Sequence, residues 1–495
     1  MTHELPIVGG FSARVPGNAV ARLAGSPLVT KVWGDGVIRM ATDTSYATTQ
    51  INASTPPNDV WQQTIRLDQA RQKGLNGNGV TVALLDTGLS QNPDLGNRVL
   101  ARVDLTADGD GIDHYGHGTH MAGIIAGDGT MSGGQWTGVA PRANLVSVKV
   151  AGADGSTDVS VVIAGLQWVV GHRSDYDIRV LNLSFGTDSQ QSYLVDPLDY
   201  AVEHVWFSGI TVVVAAGNRG PSGGTVNKPG DDPFVATVGA ADLNGTQGSN
   251  DDTVAPFTGR GPTQDGLAKP GVVAPGVTIV SDRDPGSTID QAFPSARVGA
   301  SYFKGTGTSQ AAAVVSGVVA LMYQANPNLT PDVVKAILRA SAQKQLAGEP
   351  GAGAGVVDAY SAVQAATNPY YLTIPANVGV ARSTGLGSID ASRGSLRVYA
   401  DLPQDGLGTA DEDGRLDPVR GEIDAQGGPW PSTWLSTGWS ATGWSGTAWS
   451  SVAWSTTGWS STGWSATGWS GTSWSATGWS ATGWSGTSWS GTSWS

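Results

Sequence analysis

The 495-residue chain contains no cysteine. That absence excludes disulfides, Cys-ligated zinc and thiol catalysis at once. Basic charge is scarce as well: 28 Lys and Arg stand against 41 Asp and Glu, for a net charge of −13. A surface of that sign gives no attraction to nucleic-acid phosphates or anionic membranes, so no nucleic acid is an expected partner. Long hydrophobic runs are also missing. The nearly unbroken apolar stretch Ala311–Met322 is shorter than the ~20 residues that span a bilayer and reads as a buried helix, so no membrane span is expected. The opening residues, MTHELPIVGGFSARVPG, lack the basic and then apolar pattern of a secretion leader.

What the chain does have is a repeated alternation between residues 80 and about 365. Val80–Leu85, Leu145–Val150, Val180–Phe185, Ile210–Ala216 and Phe234–Val238 are short apolar runs rich in β-branched residues. Without strict alternation they read as strands covered on both faces. Between them, Val159–Val170, Leu198–Phe207 and the stretch after His117 carry a helical period. Thr330-Pro331-Asp332 announces another helix: an N-cap, a first-turn proline and a first-turn acid. Strands alternating with helices predict an α/β fold, a parallel sheet sandwiched between helices.

The flanks differ. Residues 1–45 read as a separate small piece, 46–367 as the main domain, and 368–430 as a linker or minor module with a weak strand at Leu396–Tyr399. The last segment, 431–495, is uncharged, with Trp at every fifth position from Trp434 to Trp494 and Ser after almost every one. A period of five makes no stripe on a helix and sends successive Trp to opposite faces of a strand, so this low-complexity tail reads as a chain of spaced aromatic stickers.

Three short motifs carry chemistry. Asp86 sits in ALLDTGL at the end of a buried strand, His117 in YGHGTHMAG at a helix start, and Ser309 in GTGTSQAAAVVSG where glycines lead into a helix. Catalytic groups in parallel sheets gather at the carboxyl ends of strands. A serine hydroxyl needs a neighbouring base to take its proton, and His117 can do so near neutral pH. A buried Asp86 would hold that imidazole in the right tautomer and stabilise its charged form. Asn218, in VVVAAGNRG, offers a side-chain amide to an oxyanion.

Bland readings compete with each residue. A lone Asp after a strand is usually a cap, and a lone Ser before a helix usually an N-cap. D-T-G also occurs in aspartic proteases, whose mainly β fold does not suit this helix-rich chain. His114, His117 and His120 fall at spacing three, but no H-E-x-x-H zinc motif is present. The conjunction of four motifs in one order decides between them.

In that order, DTGL, HGTHMAG, AAGN and GTSQAA closely resemble the subtilisin-like serine peptidases, the subtilases of peptidase family S8, from about Val60 to Ala366. The resemblance implies a serine endopeptidase with Asp86, His117 and Ser309 as its triad and Asn218 as oxyanion donor. It departs from the usual G-T-S-M-A-x-P at Gln310 and Ala313, neither of which donates a catalytic atom. It also implies that Leu183, Ser184, Phe185 and Gly186 form the edge that pairs with an extended polypeptide substrate, opposite Val150–Gly155. Ser184–Gly186 and Ala215, Ala216 and Gly217 then line the specificity pocket, and the lack of an acid there predicts an apolar-leaning preference.

No cofactor is required for such chemistry. Structural calcium is common in the family, with the acidic loops Asp104–Asp113 and Asp251-Asp252 as candidates and a solvated loop as the plainer reading of each. His120 is expected to be structural and His114 a polar loop residue. Residues 10–40 resemble the second half of a subtilase propeptide, an intramolecular inhibitor, which predicts self-cleavage between about Ile38 and Asn58. The rest of the propeptide and a leader are then expected upstream, and the protein is expected to be secreted or at the cell surface. Similar Trp-Ser repeats end some actinobacterial secreted subtilases, and Trp rings stack on sugar faces, which suggests contact with a cell envelope or polysaccharide. A different class of reading is a noncatalytic surface-binding protein with a degenerate subtilase domain.

Overall fold

A computed structural model describes residues 3–13, 60–373 and 376–394, short pieces between 22 and 39, and isolated strand pairs beyond 399. The apolar runs become strands β1 (Thr81–Asp86), β2 (Val99–Asp104), β3 (Asn144–Lys149), β4 (Ile178–Leu183), β5 (Thr211–Ala215), β6 (Ala236–Asp242), β7 (Thr253–Val254) and β8 (Val272–Pro275). They lie in the order β7-β6-β5-β4-β1-β3-β2, with β8 also paired to β6. Every pairing is parallel except that of the two-residue β7.

Helices α1 (His117–Ala126), α2 (Val159–Gly171), α3 (Pro197–Phe207), α4 (Thr308–Ala325), α5 (Pro331–Ser341) and α6 (Ala359–Ala366) cover both faces. Successive strand side chains point to opposite faces. Val82, Leu84, Val180 and Val213 therefore join α1, α4, α5 and α6 in one core. Ala83, Leu85, Leu181, Leu183, Val212 and Val214 join α2 and α3 in the other. All six residues of β1 are buried, as a strand covered on both sides requires. The α5 start is the expected one: the Thr330 side chain accepts from Val333 N, Pro331 is in the first turn, and Asp332 follows.

The pieces outside the α/β core bear on function. His3–Leu5 and Gly10–Ser12 form an antiparallel pair, tied to α2 by a bond from Ile7 N to Gln167 Oε1 of 3.0 Å. Val37–Arg39 pairs antiparallel with Ser156–Asp158. The stretch read as a linker or minor module is, over 376–394, packed against α3 through Ser383 N on Glu203 and against α5 through Asn377 on Asp332 and Lys335. Leu396–Val398, most of the expected weak strand, lies outside the described residues. No helix among the described residues is long and apolar enough to cross a membrane.

In the tail, Trp454-Ser455 pairs in parallel with Trp474-Ser475, and Trp469–Gly471 with Trp489–Gly491. Ser445-Gly446, Ser465-Ala466 and Ser485-Gly486 form a third set. Each pairing joins residues four pentads apart. A period that suits neither a lone helix nor a lone strand thus becomes a strand register when four repeats make one step.

Candidate active site

β1 ends by delivering Asp86, buried, to the carboxyl edge of the sheet. Its Oδ1 accepts from Thr87 N at 2.8 Å and from His117 Nδ1 at 2.8 Å. His117 opens α1, and the approach of that helix to β1 depends on Gly118. A Cβ there would collide with the Gly88 carbonyl and crowd Asp86. Thr87 links the two elements: its hydroxyl donates to Asp113 Oδ1 at 2.7 Å and accepts from Gly118 N at 2.9 Å. Asp113 in turn takes the first-turn amides Gly116 N and Thr119 N, each at 2.7 Å.

The charges follow from this geometry. Burial alone would lower the His117 pKa, but the charge of Asp86 and its hydrogen bond outweigh that and leave it above its ordinary 6.5. Burial raises the Asp113 carboxyl despite the amides it accepts. His120 lies buried behind, edge-on to Phe303 at 6.4 Å, and burial with the nearby His117 pushes its pKa to about 3. It is neutral at any working pH and lies in the core, in keeping with a structural role.

Ser309 occupies the first turn of α4, 3 % exposed. Its Oγ donates to the Ser184 carbonyl at 3.1 Å, and the Ser184 hydroxyl donates back to Ser309 O at 3.4 Å. No hydrogen bond joins Ser309 to His117, whose Nε2 has no partner among the described residues. Such bonds are often long before substrate arrives and tighten in the reacting complex. Asn218 follows β5, and Thr308 holds its amide by the oxygen: Oδ1 accepts from Thr308 N and from Thr308 Oγ1, both at 2.9 Å. The amide nitrogen is thereby turned the other way.

The two expected walls flank this group. Leu183 closes β4, and Ser184, Phe185 and Gly186 continue it, all buried. Ala215, Ala216 and Gly217 extend β5, with Ala216 N bonded to Val238 O at 2.8 Å. Sequence reasoning missed the residue between them. A Cβ on Gly217 would press on the Asn227 amide, and one on Gly186 on the Asn227 Cβ. Asn227 therefore lies where the walls approach each other, its Oδ1 held by Arg219 Nε at 3.1 Å, while Arg219 Nη1 reaches Asp188 at 3.3 Å. Asp113 and Thr308 were missed too. An acid four residues before His117 was visible, but nothing distinguished it from Asp104, Asp108 and Asp110.

The metal candidates resolve differently. His114 is exposed and pairs with Asp110 at 2.8 Å, the polar loop contact expected of it. In the loop Asp104–Asp113, the buried Lys149 ammonium stands among Asp108 at 2.8 Å, Asp110 at 3.5 Å and Asp104 at 3.9 Å. Asp251 accepts from Thr246 Oγ1 and Asp252 from Gln345. Among the described residues no group of three or more His, Asp or Glu side chains is placed to hold a metal ion.

The pattern of the Subtilase family, Peptidase_S8, matches residues 77–363. The chain is similar to the serine protease AprX of Bacillus subtilis, with 44% identity over 296 residues, 58% of this chain and 67% of that one. It is 37% identical to the M-protease of Shouchella clausii over 264 residues, 53% of this chain and 59% of that one. Against Subtilisin Savinase of Lederbergia lenta it is 35% identical over 300 residues, 61% of this chain and 96% of that one.

Proposed function

Since the chain belongs to the subtilase family of serine proteases, we propose that Asp86, His117 and Ser309 are its catalytic triad and that it cleaves extended polypeptides through an acyl-enzyme. The substrate adds as a strand to the edge Ser184–Gly186. Ser309 Oγ leaves its bond to Ser184 O and attacks the scissile carbonyl as His117 Nε2 takes its proton. Asp86 holds the ring through Nδ1 and stabilises the imidazolium. The tetrahedral oxyanion is met by the Asn218 amide and by backbone N–H at the start of α4. His117 then protonates the leaving amine, and water repeats the sequence to release the acid.

The observation that carries this reading is the buried 2.8 Å bond between His117 Nδ1 and Asp86, which leaves Nε2 as the ring's remaining nitrogen. The test is casein hydrolysis by the wild type and by Ser309→Ala, with an organofluorophosphonate as label. The wild type should hydrolyse casein and be labelled at Ser309. An inert, unlabelled wild type after removal of the N-terminal piece would favour the binding-protein alternative.

Residues 1–45 act in this reading as the tail of a propeptide, and 46–367 as the catalytic domain. The strand Val37–Arg39 supports it, since it pairs with Ser156–Asp158 directly after the segment 150–155 assigned to the far side of the cleft. N-terminal sequencing of active enzyme should find a start between about Ile38 and Asn58, and an intact Met1 would refute the assignment. Secretion, any structural calcium, and attachment to a cell envelope or polysaccharide through 431–495 belong to the same proposal. Deleting 431–495 should leave peptidase activity intact and lower retention on cell walls, and unchanged retention would sink the attachment.

A further inference from the structure

The family match ends at residue 363, yet the chain runs on and returns to the back of the substrate edge. Tyr193 donates its hydroxyl to Ala381 O at 3.2 Å, and Thr384 N donates to Leu194 O at 2.8 Å. Ser383 N donates to Glu203 Oε1 on α3 at 2.8 Å. Gln191 bonds both ways with Ser388, and Ser392 Oγ donates to Asp196 Oδ2 at 2.8 Å. The last of these contacts reaches the wall itself: Thr187 Oγ1, next to Gly186, donates to Ser392 O.

This segment is not a core filler. Its fully buried residues are polar: Ser383, Ser392 and Arg393 are 5%, 0% and 1% exposed, whereas Val380 and Ile389 are only half-buried against the α2–α3 core and Val378 and Leu386 are largely in solvent. Burying polar groups yields little unless each finds its partner, so hydrogen-bond geometry, more than apolar area, fixes where the segment lies. The other side of Thr187 is equally constrained. Thr187 N donates to Lys228 O at 3.0 Å and Lys228 N to Thr187 O at 2.8 Å. The Lys228 ammonium is itself clamped by Asp199 and Asp231, each at 2.6 Å, with Asp196 at 3.9 Å. Asp196 thus caps α3, takes Ser392 and stands beside Lys228.

We propose that residues 381–394 are a positioning strap that sets the substrate edge Ser184–Gly186 through the bond from Thr187 to Ser392. The inference rests on the reading of that edge as the peptide-binding strand. Peptide binding then depends on the strap, while the reactivity of Ser309 toward a small reagent does not.

The experiment uses the matured full chain, a series of peptide p-nitroanilides and an organofluorophosphonate. Thr187→Val removes the hydroxyl and keeps the shape, and Thr187→Ser restores the hydroxyl. Expected is a KM raised about three- to tenfold in Thr187→Val, the scale of one hydrogen bond. Turnover should stay within about twofold, the mark of lost uniform binding, with unchanged phosphonylation and recovery in Thr187→Ser. Gly394→Ala acts from the strap alone, because its Cβ lands on Asp188 and on the Ser189 amide while φ is +65°. It should raise KM in the same way. An unchanged KM in Thr187→Val overturns the strap, as does a fall in turnover and phosphonylation equal to any rise in KM. If the wild type neither hydrolyses peptide nor takes up the label, the proposed function has failed; an active wild type with an indifferent Thr187→Val condemns the strap alone.

Discussion

Two buried charged clusters, one around Lys228 and one around His117, are built differently. Around Lys228 the ammonium is the saturated group: it binds two carboxylates at 2.6 Å, and pairing offsets burial to hold its pKa above the ordinary value, while Asp199 Oδ1 and Asp231 Oδ1 have no hydrogen-bond partner among the described residues. Around His117 a single carboxylate oxygen faces the ring, while Asp86 Oδ2 and His117 Nε2 have no partner among the described residues. The first arrangement fixes an ammonium between carboxylates. The second leaves open the ring nitrogen opposite Asp86, as the proposed proton transfer requires.

The comparison breaks first at Asp86. Asp86→Asn should reduce kcat/KM by about 10⁴-fold, through loss of the correct tautomer, with the fold intact. The pH profile sharpens the point. In the proposed mechanism activity needs neutral His117, and its raised pKa should put the acid limb of kcat/KM above 6.5. In Asp86→Asn the charge that raises it is gone, burial remains, and the limb should move to lower pH. A limb that stays in place would mean that another base is at work.

Lys228→Met tests the other cluster. Removing the ammonium strands Asp199 and Asp231 in the interior, and such a break costs about 3–5 kcal/mol. Chemical denaturation on a Ser309→Ala background, where self-digestion cannot interfere, should show that loss. A stability change near zero would show that the cluster is not the saturated structure described. Asn218→Ala should lower turnover by about 10²–10³-fold with KM nearly unchanged, a magnitude known from the subtilisins themselves. An equal rise in KM would place Asn218 in substrate binding instead.

The smallest effect concerns Glu203, which receives the strap at Ser383 N. Burial and the neighbouring Asp232 raise its pKa from 4.5 to about 8. The folded protein therefore keeps a proton that the unfolded chain has released, and Glu203 contributes stability that is complete below pH 4.5 and lost as pH rises through about 8. Thermal unfolding of Ser309→Ala should show a Tm that falls over this window. Glu203→Gln should flatten the fall, and an identical slope in both would remove Glu203 from the account.

Much of the frame was legible in the sequence because it is written locally. Val82 to Leu85 read as a doubly covered strand, and Thr330-Pro331-Asp332 as a helix start, from neighbours alone. Asp86, His117, Ser309 and Asn218 stood out through order and motif, and the structure brings Asp86 to His117 and Asn218 to Thr308 beside Ser309. What stayed hidden depends on partners far along the chain. Asn227 resembles any turn residue until Gly186 and Gly217 close around it. Residues 376–394 have a linker's composition, and bonds to distant partners such as Asp196, Glu203 and Thr187 turn them into something docked. The pentad tail shows the same limit, since its register spans four repeats and no single repeat contains it.

In the loop Asp104–Asp113 three of the four carboxylates, those of Asp104, Asp108 and Asp110, converge on an ammonium carried by the chain itself, Lys149, fully buried at the end of β3. That ammonium is covalently part of the chain, so the positive charge it supplies to the loop is not drawn from the surrounding fluid.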